Sequence, residues 1–199
     1  MRFKTWLKES FFDKDGNWAG NDGASGILPI ANDTKRICLA LRSKHVHSKV
    51  NGQNVQTECW GTLGGAIQND MSPLQSAKME VEEETGFSGP YLNIFPAYVF
   101  SSGSFKYYNF IGLTAKEFAF SPASQHSWET LKIEWVEYNK LNQSGYNGYP
   151  FHDGLIALLR NSNNILQDII LPQANPKGYS NTLQVPSQEF LPSKQYPTT

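Results

Sequence analysis

A double glycine at Gly64–Gly65, followed by a helix that carries three carboxylates on one face, constrains this chain of 199 residues more than any other feature. Ser72 suits a helix N-cap, Pro73 the first helical position, and Gln75, three residues after the cap, completes a capping box. Gly86 can adopt the left-handed conformation that closes a helix, so the spacing predicts a helix over Pro73 to Thr85. At about 100° per residue, Leu74, Ala77 and Val81 form one apolar stripe, while Glu80, Glu83 and Glu84 share a separate arc. Glu82 points away from that arc and reads as solvated.

An acidic run is ordinarily a solvated helix surface. Here the physics opposes that reading. Like charges at i,i+3 and i,i+4 destabilise a helix by about 0.2–0.5 kcal/mol per pair, and the C-terminal end of the macrodipole disfavours anions. The neighbours of these glutamates at three and four residues are Ser76, Ala77, Met79, Val81, Phe87 and one another, with no Lys or Arg among them. The compensating cation must come from outside the helix, and a bound metal ion accounts for the cluster.

The stretch resembles the Nudix hydrolase signature: Gly, five residues, Glu, seven residues, then Arg-Glu-apolar-any-Glu-Glu-any-Gly-apolar. Gly65, Glu80, Val81, Glu83, Glu84, Gly86 and Phe87 match in register, while Met71 stands for the first Glu and Met79 for the Arg. Those two family positions plausibly face each other as an ion pair, so their joint replacement predicts an apolar contact between flexible thioethers. The flanks resemble the family as well. SGILPIANDTKRICLALRS reads as a hairpin turning at Asn32-Asp33, and CWGTLGG resembles the family's entry to the motif, with Leu63 in place of Pro. Tyr91 to Phe100 and Lys106 to Thr114 read as a second hairpin, and Glu129 precedes an apolar Trp135-Val136 as a family loop Glu does. The likeness covers residues 24 to 162.

The resemblance implies an α/β (α+β) fold, a Nudix-like α/β/α sandwich with a mixed curved β-sheet between helices. It implies Mg²⁺-dependent hydrolysis of the pyrophosphate linkage in a nucleoside diphosphate joined to another moiety, with Mn²⁺ as the alternative ion. Carried over residue by residue, Glu80, Glu83 and Glu84 are metal ligands, joined by the Gly65 carbonyl. Glu83 and Glu129 are the catalytic candidates, Glu129 as general base or additional ligand, with His126 its rival. The other reading is a degenerate Nudix domain that binds a nucleotide or a protein without turnover. The intact Glu triad favours the enzyme, and Met71 with Met79 favours the degenerate domain.

For the substrate, Arg42, Lys44, His45, His47 and Lys49 form a basic stretch able to meet phosphate or sugar, with a solvated loop as the competing reading. Arg42 and Tyr108 are the substrate-binding candidates. Tyr107, Phe110, Trp18 and Trp60 also offer stacking faces, against which core packing competes. The downstream proline that marks family members acting on ADP-ribose has no counterpart.

Length predicts one domain with a proper core, divided into an N-terminal extension (1–23), the Nudix-like domain (24–171) and an arm (172–199) holding five of the eleven prolines. That arm would offer a homodimer contact. A net charge of −1 gives no footprint for a nucleic-acid backbone, so a small-molecule nucleotide is the expected partner. MRFKTWLKES is too interrupted by charge for a signal peptide, and no apolar run reaches the roughly 18 residues of a membrane span, so a cytoplasmic protein without membrane contact is expected. Cys38 and Cys59 read as reduced structural thiols. A further helix is predicted from Leu155 to Ile170, capped by Asp153 and broken around Asn161 to Asn164.

Overall fold

The computed structural model describes residues 23–68, 71–121, 129–142 and 145–171. Trp18, His126, the N-terminal extension up to residue 22 and the Pro-rich arm, with the dimer contact expected of it, lie outside these residues.

The first helix, α1 (Pro73–Thr85), forms as its local chemistry dictates. The Ser72 hydroxyl accepts from the Gln75 N–H at 3.3 Å, and the Gln75 side chain accepts from the Ser72 N–H at 2.9 Å. At the other end Gly86 has φ 78° and donates its N–H to the Glu82 carbonyl at 2.7 Å.

A seven-stranded mixed sheet supports this helix. It is built from β1 (Ala24–Ala31), β2 (Ile37–Arg42), β5 (Cys59–Gly61), β6 (Leu63–Ala66), β7 (Asn93–Ser102), β8 (Phe105–Thr114) and β9 (Thr130–Val136). The order is β5-β2-β1-β8-β7, with β6 added to β1 and β9 to β2. Among the described strands, β1 and β8 alone pair in parallel, from Ala24 opposite Tyr107 to Ala31 opposite Thr114. A hairpin of β3 (Ser48–Val50) and β4 (Gln53–Val55) leaves the end of β2, and β10 (Gly145–Tyr146) pairs with β11 (Tyr149–Pro150).

One departure from simple pairing positions the site. The predicted hairpin of β1 and β2 pairs only at Ile30 and Ile37 before the strands separate. The vacated edge of β1 takes β6 instead, from Ala24 opposite Ala66 to Ile27 opposite Leu63. The glycine loop is thereby held against Ser25 and Gly26.

Alternation along the buried strands divides the core into two layers. Leu28, Ile30, Ile37, Leu39 and Ile111 pack on Leu155, Leu158 and Leu166 of α2 (Asp153–Asn161) and α3 (Asn163–Ile170). Ile27, Ala31, Cys38, Ala40 and Phe110 pack on Ala77 and Val81 of α1. The result is the α/β/α sandwich the sequence implied. Cys38 and Cys59 are buried free thiols, and among the described residues no helix is long and apolar enough to cross a membrane.

Two local expectations are corrected. Asp153 does not cap α2: His152 does, its Nδ1 accepting from the Gly154 N–H at 2.9 Å. Asp153 is the first helical residue, where its charge suits the macrodipole while its oxygens bond elsewhere. Strand β7 begins at Asn93 rather than Tyr91, because the Tyr91 ring turns inward to meet Phe87 edge-on, 5.4 Å between centroids. The predicted break in the last helix falls at Ser162, between α2 and α3.

Candidate active site

With Ala77 and Val81 buried against the sheet, the adjoining face of α1 turns Glu80 and Glu84 toward the glycine loop and the start of β9, and Glu83 acts electrostatically on Glu80. The Glu80 carboxyl lies directly over Gly65, where an added Cβ would approach its Cδ to 2.6 Å. Glu84 is clamped by both oxygens: Oε2 accepts from the Gly64 N–H at 3.1 Å, and Oε1 accepts from the Thr130 hydroxyl at 3.1 Å. Glu129 immediately precedes Thr130, and its carbonyl accepts from the Ser43 N–H at 2.7 Å, which ties this edge of the site to the end of β2. Glu82 is exposed, as its position on the helix predicts.

The electrostatics register how closely these groups converge. Burial pushes the Glu80 carboxyl well above the ordinary carboxylate range, and the charges of Glu84, Glu83 and Glu129 push it further. Burial raises Glu84 to about 7, with Glu129 adding to the shift, while Arg42, the Thr130 hydroxyl and the Gly64 N–H act against it. Glu129, remote in sequence from the helix, therefore acts on both of these carboxylates.

Arg42 supplies the cation that the helix lacks. It ends β2, at the point where the pairing with β9 changes register between Leu41 and Arg42. Its stem crosses Gly61, with Cδ 3.2 Å from where a Cβ would stand, and its Nε donates to the Ser48 hydroxyl at 3.4 Å. The cation expected from outside the helix is thus supplied in part by the fold itself: the Arg42 guanidinium acts on Glu84.

The aromatic candidates have mainly packing roles. Trp60 is buried and donates its indole N–H to the Tyr146 carbonyl at 2.9 Å, and Phe110 belongs to the α1-side core. Tyr108, a substrate-binding candidate, is partly buried against that same core. Tyr107 brings its hydroxyl within 3.4 Å of the Thr62 hydroxyl and close over Gly26 and Gly64. Met71 is 38% exposed and Met79 partly buried. Sequence reasoning missed Thr130, which carries no local signal, and singled out Tyr107 for its ring rather than for the hydroxyl that meets Thr62.

Among the described residues, no three His, Cys, Asp or Glu side chains are gathered into a ready cage for a metal ion. The donor set still fits a hard cation. Its members are carboxylates and a backbone carbonyl, and Mg²⁺ characteristically takes one or two carboxylates, filling its remaining positions with waters and substrate phosphates. Carboxylates that burial and mutual repulsion have driven toward protonation gain most from such a charge.

The two glycines have separable jobs. An added Cβ at Gly64 meets the Ser25 carbonyl oxygen at 2.4 Å and the Gly26 Cα at 2.5 Å, both rigid backbone, whereas at Gly65 its three nearest neighbours are all carboxyl atoms of Glu80, the far end of a side chain. Gly64→Ala is expected to destabilise the fold by about 1–3 kcal/mol. Gly65→Ala should leave the urea midpoint nearly unchanged while displacing the Glu80 carboxyl and depressing activity. Equal loss of stability in both variants would refute this division.

Comparison with known proteins agrees with the geometry. The sequence profile of the NUDIX domain matches residues 21–159. No curated protein matches the chain in sequence. Among solved structures, the Nudix hydrolase RenU of M. Smegmatis superposes with a TM-score of 0.58 at 18% identity, over 84% of this chain and 99% of that one. The NUDIX domain of Shewanella oneidensis NrtR, solved with ADP ribose, gives 0.55 at 15% identity, over 78% and 94% of the two chains. A NUDIX-family hydrolase from Clostridium perfringens gives 0.51 at 15% identity, over 74% and 99%. At such identities the superpositions establish the fold. The match over residues 21–159 establishes the family: the chain belongs to the Nudix family, which comprises hydrolases that act on small nucleotide substrates and generally use divalent metal ions, and membership supports a hydrolase-type function.

Proposed function

We propose that this protein hydrolyses the pyrophosphate linkage of a nucleoside diphosphate joined to another moiety, in the presence of Mg²⁺ or Mn²⁺. The observation that carries the reading is the convergence of Glu80, Glu84 and Glu129 with Arg42 beside the Gly64–Gly65 loop. Only a polyanion brought in together with cations matches a site that holds several carboxylates and a guanidinium.

In this reading Glu80, Glu83, Glu84 and the Gly65 carbonyl hold the metal, which when bound neutralises phosphate oxygens and the charge on the leaving group. Glu129 accepts a proton from the attacking water as its oxygen bonds to one phosphorus, and the bond from that phosphorus to the bridging oxygen breaks. Arg42 meets the phosphate oxygens with a planar donor set suited to them. Thr130 and the Gly64 N–H hold Glu84 in a fixed orientation, which lowers the reorganisation needed when ligands arrive.

A panel of nucleoside diphosphate-linked compounds, ADP-ribose among them, assayed with Mg²⁺ for phosphate released after phosphatase treatment, tests the activity. Turnover of none of them would leave the degenerate binding domain, the reading that Met71 and Met79 favour. Metal binding has its own test. A ligand that binds only the folded state at 100 times its Kd stabilises by about 2.7 kcal/mol. At about 2–4 °C per kcal/mol for a domain of this size, saturating Mg²⁺ should therefore raise Tm by about 5–11 °C, and Glu83→Gln should shrink that rise. Melting curves that ignore Mg²⁺ in both proteins would sink the metal assignment.

A further inference from the structure

The turn of the β3–β4 hairpin, Asn51-Gly52, has φ of 53° and 78°, the left-handed pair of a tight hairpin turn. Both of its backbone N–H groups donate to one carboxylate: Asn51 to Oδ1 of Asp153 and Gly52 to Oδ2 of Asp153, each at 2.8 Å. Asp153 is therefore used in full on a neighbouring element, while His152 takes over the cap of α2. A hairpin of two three-residue strands cannot hold its own position in water. Its tip is fixed by this charge-assisted grip.

The other end of β3 reaches the candidate site. Ser48 opens β3, is buried, and accepts from Arg42 Nε. The Arg42 backbone is held by Cys59 of β5 and, across the register shift, by Thr130 of β9, while its side chain meets β3 through the 3.4 Å Ser48 contact, so the placement of β3 bears on the guanidinium end rather than on the strand. The Arg42 stem and the Cβ of His152, the residue before Asp153, both lie over Gly61, at 3.2 and 3.9 Å from where its Cβ would be. The N-terminus of α2, the hairpin and the end of β2 thus form one mechanical unit.

We propose that Asp153 is a positioning residue which, by gripping the Asn51-Gly52 turn, sets Ser48 and through it the Arg42 guanidinium beside the carboxylate cluster. This rests on the role given to Arg42 above. Asp153 itself touches neither the cluster nor a phosphate bound there. Its effect on catalysis passes through Arg42 and is absent when Arg42 is absent.

The full chain carrying Asp153→Ala, Asp153→Asn, Arg42→Gln and the double change Asp153→Ala/Arg42→Gln tests this. Nuclear magnetic resonance of the nucleotide-free protein reads solvent exchange of the Arg42 Nε–H, expected to quicken about tenfold in Asp153→Ala, with Asp153→Asn between. In steady-state kinetics Asp153→Ala should lower kcat/KM about tenfold, mainly through KM, yet change it less than about twofold in the Arg42→Gln background. Additive losses, or an unchanged Nε–H exchange rate, would overturn the proposal and leave Asp153 as a plain hairpin support. If no nucleotide is turned over, faster Nε–H exchange together with weaker binding of Mg²⁺-pyrophosphate in Asp153→Ala upholds the positioning role while the hydrolase reading falls. Turnover with unaltered exchange does the reverse.

Discussion

Replacing Glu129 with Gln is expected to lower kcat by about 10²- to 10⁴-fold, the usual contribution of a positioned general base, while leaving the Mg²⁺-induced rise in Tm nearly intact. The glutamine keeps the shape and removes only the ability to take a proton. Glu129 acts electrostatically on both Glu80 and Glu84, so it is close enough to share their site, but it arrives from the loop before β9 rather than from the helix. Glu83→Gln gives the contrasting result: kcat falls and the response to Mg²⁺ weakens with it. Should Glu129→Gln abolish the Mg²⁺ response, the residue is a ligand instead. Undiminished turnover would remove it from the chemistry altogether.

The second large effect concerns acid stability without divalent metal. Burial lowers the His152 pKa to about 4, helped by the positive charge of Arg42, while Asp153 acts in the opposite sense and Lys49 in the same one. The unfolded chain takes up a proton near pH 6.5 that the folded chain refuses until about pH 4, so this group removes stability as pH falls through that window. Glu84 works oppositely. Its folded pKa of about 7 exceeds the ordinary carboxylate value, so the folded protein binds the proton first and gains stability as pH falls from about 7. Each effect amounts to about 2–3 kcal/mol between pH 7.5 and 4.5, and they offset one another. Glu80, also shifted upward, adds to the side of Glu84.

Urea denaturation in EDTA at the two pH values should therefore separate the variants. Glu84→Gln loses stability on acidification relative to the wild type, by about 2–3 kcal/mol. His152→Asn, which can still accept the Gly154 N–H at the helix cap, gains by a similar amount. Parallel profiles for all three proteins would show that neither group titrates as its surroundings require.

The helix at the centre of the site was legible from residues 72 to 86 because every device that specifies it is local. Ser72 and Gln75 answer each other's backbone, Pro73 supplies its own φ, and Gly86 closes the last turn. Strand alternation was legible for the same reason: Ile27 and Leu28, or Cys38 and Leu39, face opposite core layers simply through the pleat. The cap of α2 is not legible locally: Asp153 is the better capping type, yet a hairpin a hundred residues earlier takes both of its oxygens and His152 caps the helix instead.

The sequence by itself thus determined the carboxylate-bearing helix face, the glycine loop before it, the layered core and the family. The tertiary structure alone decided what surrounds those carboxylates. Thr130 reaches Glu84 only because β9 pairs with β2, Gly64 reaches it only because β6 fills the edge that β2 leaves on β1, and Arg42 meets the cluster only where β2 ends beside both. Caps and periodicities follow from short-range sterics and hydrogen bonds. A carboxylate's proton affinity and a guanidinium's placement follow instead from burial and from charges far away in the chain, which exist only once the strands have found their partners.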